Sequence, residues 1–262
     1  MKSVRVGCVK YLNARPLIRG WPGDVEFDHP SALCRRLAKG ELDVALVSGF
    51  EFLRNPIYRI VDDVSISSDG PVYSVVVAHR GEFSDVEEIK LDPASETAVN
   101  LLRCLLAEFG LTRRLTADAQ GITELTQTRL MIGDQAIRFR QDHGDEFQFW
   151  DLGEHWKKLT GLPFVYALWL IRPEVADAKS IAQRLRELRN ENLADISAIV
   201  SNAVPDFARS ERGITQEFLN HYYHRCLRFG LGQREKQGLQ TFAALCTRHG
   251  VLPAPVSDFR LV

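Results

Sequence analysis

Four short stretches carry the side chains that could do chemistry: Asn13 in Val9 to Leu17, Ser74 inside Val72 to Ala78, Ser95-Glu96-Thr97-Ala98, and Ile132-Gly133-Asp134-Gln135. Their working parts are a neutral amide, hydroxyls and the starts of helices, where unpaired N–H groups attract carboxylates and phosphates. Such groups suit the binding and orienting of a small organic acid. Pro16 fits the first turn of a helix, where its missing N–H costs nothing. Each stretch also has a plain structural role. Asn13 can be a turn or cap residue, Ser74 can bond backbone, and Ser95 and Asp134 can cap the helices that follow them. No Gly-x-Ser-x-Gly elbow surrounds Ser74. The seven histidines form no HExxH or Cys-His ligand set, and no Walker loop or GxGxxG occurs, so neither a metal nor a nucleotide cofactor is expected.

The elements that must position these residues read as α/β. Val4 to Val9, Val25 to Asp28 and Asp43 to Val47 alternate with helices from about Ala14 and from Ser31, which is βαβ grammar and implies a parallel sheet. Asp69-Gly70-Pro71 is a turn signal before the β-branched run Val72 to Ala78. A second unit begins near Leu91-Asp92. Ser95 is the expected cap of a helix with Val99, Leu102, Leu106 and Phe109 on one stripe, stopped at Gly110. Arg129 to Ile132 and Val165 to Ile171 read as strands, and the chain is mostly helical from Lys179 to about His249. This pattern predicts two lobes around a central cleft: residues 1–91 plus 172–262, carrying the C-terminal helices, and residues 92–171. The hinges would lie at Leu91 to Pro93 and Ile171 to Pro173, allowing closure over a ligand.

A net charge of −1 gives no electrostatic footprint for nucleic acid or an anionic membrane. The start, Met1-Lys2-Ser3-Val4-Arg5, shows neither a secretory signal nor a membrane span, so a cytoplasmic protein is expected. Five widely spaced cysteines in apolar runs fit reduced core thiols. His221 and His224 read as a solvated helical pair. Nothing specifies the oligomeric state, and a homodimer is compatible with the sequence.

Taken together, Tyr11 to Leu17, Ser68-Asp69-Gly70-Pro71-Val72-Tyr73-Ser74-Val75, Ile132 to Ala136 and Trp156-Lys157-Lys158-Leu159-Thr160-Gly161-Leu162-Pro163-Phe164-Val165 resemble the chorismate dehydratase family of the futalosine route to menaquinone, over nearly the whole chain. The resemblance implies a two-lobed, type II periplasmic-binding-protein-like fold used as a cofactor-free enzyme, with chorismate in the cleft and 3-enolpyruvylbenzoate as product. It implies that Asn13 and Ser74 are catalytic and line the cleft on the first lobe. Thr97 and Gly133 match helix-start positions on the second. Arg15, Ser48, Ser95, Ala98, Asp134 and Phe164 complete the expected substrate contacts. One departure stands out: the family pattern Ser-Arg-Thr-Ser is here Ser95-Glu96-Thr97-Ala98, and a carboxylate at Glu96 would repel a dianion unless paired with Arg103 or another cation.

The expected reaction removes the ring proton at C3 and the C4 hydroxyl, driven by aromatisation, with backbone amides stabilising carboxylate charge. Asparagine cannot act as a base near neutral pH, so the base is expected to be the substrate's own side-chain carboxylate, with a bound water as the alternative. Two alternatives follow from the same residues: a binding protein for small carboxylates without chemistry, and the sister pathway enzyme that makes 1,4-dihydroxy-6-naphthoate.

Overall fold

Strands buried on both faces need near-continuous apolar runs, and four such runs set the centre of this molecule. They are β1 (Val6–Val9), β3 (Val44–Ser48), β5 (Val75–His79) and β8 (Arg129–Ile132), buried at every position. A computed structural model describes residues 4–92, 95–117, 128–204, 214–254, 256 and 258–262. It contains two five-stranded mixed sheets. With β2 (Val25–Asp28), β4 (Arg59–Ser68) and β10 (Phe164–Ile171), the first has the order β2-β1-β3-β10-β4. With β6 (Glu88–Leu91), β7 (Arg114–Ala117) and β9 (Gln148–Asp151), the second has the order β7-β6-β8-β5-β9.

In the first sheet β1 to β3 run parallel, and β10 lies antiparallel between β3 and β4. In the second, β6 is parallel to β7 and β8, while β5 is antiparallel to β8 and β9. The α/β class and the two-sheet plan therefore hold. The strand pairing moves the crossings, however. β5 and β6, expected with the first lobe, pair in the second sheet, and β10, expected in the second, zips onto β3 from Ala167↔Ser48 to Ile171↔Val44. The chain leaves the first sheet between Ser68 and Val75 and returns before Phe164. Of the expected hinges, Leu91 ends β6, Ile171 ends β10, and Pro93 lies outside the described residues.

Helices begin where the strands of the cleft end. α1 (Arg15–Ile18) follows a short 3-10 turn at Leu12–Ala14, and α2 (Pro30–Ala38) starts on Pro30 at N1 rather than on a Ser31 cap. α3 (Gly49–Arg54) continues β3, and α5 (Gly133–Asp142) continues β8. Ser95 caps α4 (Glu96–Glu108) through Ala98 N–H at 3.3 Å, as its spacing predicts, and Gly110 at φ +66° follows the helix end. α6 (Leu152–Thr160) is capped by Asp151.

After β10, α7 (Ala178–Ala194) packs on α1 and β4. α8 (Ile196–Ala203) and α9 (Gln216–His221) lead into a π-helical turn, Tyr222–Cys226, and Arg228 then pairs its backbone with Ser67 of β4. α10 (Gln233–Arg248) rests on β10 and also touches α4, so the C-terminal part packs mainly on the first sheet and reaches the second. One hydrophobic core runs continuously through both sheets. All five cysteines are free and buried; the Cys104 and Cys246 thiols lie 3.8 Å apart where α4 meets α10. Among the described residues no helix is long and apolar enough to cross a membrane.

Candidate active site

The ends of β1, β3, β5 and β8 and the starts of α4 and α5 surround a cavity between the two sheets. Asn13, Ser48, Ser74, Ser95, Thr97 and Gly133 all line it, together with Tyr11, Tyr166 and an apolar wall that includes Val9, Leu46, Ile66, Val72 and Ile132. Asn13 and Thr97, from opposite sheets, share the same space. No side chain charged at neutral pH lines the cavity among the described residues, so polar recognition here falls to amide, hydroxyl and backbone groups.

Asn13 sits in the 3-10 turn after β1. Tyr223 Oη donates to the preceding carbonyl, Leu12 O, at 2.9 Å, and Leu12 N–H donates to Asp134 Oδ1 at 2.9 Å. The turn is therefore anchored on both sides, one anchor coming from α5 of the second sheet. Asn13 Oδ1 is buried and has no hydrogen-bond partner among the described residues. A buried amide oxygen in that state is the mark of a group whose partner is a ligand or water. Asp134 thus serves as the acceptor that draws the Leu12 turn to α5, and not as that helix's cap.

Ser74 occupies the crossing rather than the first lobe. Its carbonyl accepts from Gly133 N–H at 2.7 Å, extending the β5–β8 ladder by one bond, and its Oγ accepts from Tyr222 Oη at 2.8 Å. Tyr73, just before it, has φ +67°, a conformation unusual for a bulky residue. Asp151 holds it there, accepting from Val72 N–H at 3.1 Å, Tyr73 N–H at 2.8 Å and Glu154 N–H at 3.1 Å, with Arg140 at 3.6 Å. Burial pushes the Asp151 carboxyl up, against the pull of those three amides and Arg140.

Thr97 ties the second sheet's helix α4 to the first. Its Oγ1 bonds Ser48 Oγ and accepts from Phe50 N–H at 3.1 Å. Gly133, at φ +59°, lies flat against the Tyr11 ring: a Cβ there would meet ring carbons at 3.0 to 3.1 Å. Burial, with Asp92 and Asp134 nearby, pushes the Tyr11 phenol up to about 12, so it remains a donor near neutral pH. The repulsion expected from Glu96 is met by a cation, Arg54 of α3, at 2.7 Å; Arg103 instead bonds Asn100. Arg54 also pairs with the buried Glu51.

The remaining expected contacts fall around the cavity rather than on it. Ala98 is buried behind Ser95. Phe164 packs its ring among Trp156, Tyr166 and Phe242, one layer behind Tyr166. Arg15 lines a neighbouring, more open cleft with Lys10, Arg19 and Phe27. Sequence reasoning missed Tyr11, Tyr166, Asp151, Tyr222 and Tyr223; the Asp-x-x-Glu spacing of Asp151 and Glu154 was the one available signal. His221 and His224, read as a solvated pair, are exposed. Among the described residues no group of His, Cys, Asp and Glu could hold a metal ion.

A sequence profile for menaquinone biosynthesis proteins matches residues 4–248 of this chain. The chain belongs to the menaquinone biosynthesis family. Within it, a chorismate dehydratase of Thermus thermophilus is 30% identical, the match covering 93% of this chain and 95% of the relative. Among solved structures, a protein of Archaeoglobus fulgidus superposes with TM-score 0.71 at 16% identity, over 95% of this chain and 98% of that one. The periplasmic aliphatic sulphonate binding protein of Escherichia coli superposes with TM-score 0.63 at 13% identity, over 97% and 89%. The fold is thus that of periplasmic binding proteins, and for a member of a biosynthetic family the cleft between sheets is where a small molecule belongs.

Proposed function

We propose that this protein is a chorismate dehydratase, a hydro-lyase that converts chorismate to 3-enolpyruvylbenzoate and water. Its relationship to the Thermus thermophilus enzyme over nearly the full length supports the reaction. The observation that carries the residue roles is that Asn13, whose buried Oδ1 has no hydrogen-bond partner among the described residues, lines the same cavity as Ser74, Thr97 and Gly133.

In this reading the C3 proton passes to a base, the C3–H electron pair enters the ring system toward the ring carboxylate, and the C4–O bond breaks with its pair. The departing hydroxide and a proton make water. Aromatisation supplies much of the driving force, so the protein's task is orientation and stabilisation of charge as it builds. Asn13 Oδ1 accepts from the C4 hydroxyl and Ser74 donates to it as it leaves. The helix starts at Thr97 and Gly133 face the ring carboxylate, where the positive ends of α4 and α5 favour negative charge. Among the described residues the cavity lining offers no carboxylate or imidazole as a base, and the enolpyruvyl carboxylate of the substrate takes that step in this reading.

The test is incubation of the purified protein with chorismate, following the aromatic product by mass and ultraviolet absorbance. Turnover is expected, and Asn13→Ala should lower kcat by roughly a hundredfold or more with the fold retained. Tight binding of chorismate without product would sustain a carboxylate-binding protein instead, and near-normal turnover in Asn13→Ala would remove that residue from the chemistry.

A further inference from the structure

Two adjacent tyrosines from the C-terminal part reach the two residues on which the dehydration reading rests. Tyr222 Oη donates to Ser74 Oγ at 2.8 Å, and Tyr223 Oη donates to Leu12 O, next to Asn13, at 2.9 Å. Both rings are buried. Consecutive residues of an α-helix diverge by about 100°, so a regular helix would turn one of them away. The turn here is wider: Leu227 N–H donates to Tyr222 O, five residues back, and His221 and His224 take the outer face. Such π turns are frequent at functional sites.

The direction of the first bond has a consequence for Ser74. A serine hydroxyl has one hydrogen and two lone pairs. Because Tyr222 supplies the hydrogen of its own bond, the Ser74 hydrogen is left for the cavity, where a leaving hydroxyl needs a donor. Burial pushes both phenols well above their ordinary range, so each remains a donor at any pH at which the protein works.

We propose that Tyr222 and Tyr223 are positioning residues for the dehydration, Tyr222 setting the Ser74 hydroxyl with its hydrogen toward the substrate and Tyr223 fixing the Leu12 turn so that Asn13 keeps its aim. This rests on the chorismate dehydratase reading. Neither tyrosine lines the cavity; each acts through the residue it bonds.

Phenylalanine replacements keep the rings and remove only the hydroxyls, and thermal midpoints establish that each variant is folded. With chorismate as substrate, Tyr222→Phe should lower kcat about tenfold while KM changes less than about twofold. Tyr222→Phe added to Ser74→Ala should slow it no further, because the group that Tyr222 sets is already gone. Tyr223→Phe should show the same pattern against Asn13→Ala. Wild-type kcat in Tyr222→Phe, or losses that multiply in the double variants, would overturn the positioning roles and leave the dehydratase reading standing. A wild type that does not convert chorismate would overturn that reading and this proposal with it.

Discussion

Arg54 pairs with two carboxylates beside the cavity, and its position explains how this chain accommodates Glu96 at the start of α4. Glu96 bonds Arg54 at 2.7 Å, and Glu51, with 2% exposure, bonds the same guanidinium. Burial pushes the Glu51 carboxyl up, and Arg54 opposes that shift. Arg54→Ala would leave both charges uncompensated next to the start of α4. It should raise KM for a dianionic substrate roughly three- to tenfold at low ionic strength, with the effect shrinking as salt is added. Glu96→Gln should not raise KM. Steady-state kinetics across a salt series would decide this, and a KM insensitive to Arg54 would detach the pair from substrate binding.

The elements that hold the site differ in how plainly the sequence announces them. Val25–Asp28, Arg129–Ile132 and the Ser95-capped helix are legible because composition and cap chemistry are local. β4 escapes because Asp62-Asp63 interrupts its apolar run; Asp63, at φ +60°, bonds Arg189 at 2.7 Å, a partner far away in sequence. The run Val72 to Ala78 reads as one strand, yet Val72-Tyr73-Ser74 is a turn because a buried carboxylate, Asp151, captures two of its amides. That capture gives a prediction. Asp151→Asn can offer only one acceptor oxygen, so the Tyr73 turn should loosen, with a stability loss of about 1–3 kcal/mol and a fall in kcat. Thermal denaturation and turnover measured together would check it, and an unchanged kcat would show that Ser74 is placed without Asp151. Tyr222 and Tyr223 were illegible for a related reason: helical periodicity turns neighbours apart, and only the π turn brings both inward.

At the scale of the whole molecule, the choice of which strand joins which sheet is made by non-local pairing, which is why the crossings lay elsewhere than the sequence suggested. The outgoing crossing carries Asp69, surrounded by Lys157 at 2.5 Å, Arg234 at 3.3 Å and Arg228 at 3.5 Å, so α6, α10 and the segment after the π turn converge on it. Partial burial works to raise the Asp69 carboxyl, but Lys157, Arg234 and Arg228 outweigh it and hold it below its ordinary value. A depressed folded pKa stabilises the native state at neutral pH, and that stability is lost as pH falls below the unfolded value and through the folded one. Asp69→Asn should therefore melt lower than wild type at pH 7, with the gap closing below about pH 4. Melting curves across pH would check it, and a gap that persists into acid would point to packing rather than charge.

The place of the π turn in the chain also orders events during synthesis. Every strand of both sheets has been synthesised once β10 is made, yet the hydroxyls that tether Ser74 and the Leu12 carbonyl come from Tyr222 and Tyr223, far downstream. A nascent chain can thus own two finished sheets and still lack a working cleft; competence arrives with the tail, after the scaffold it completes.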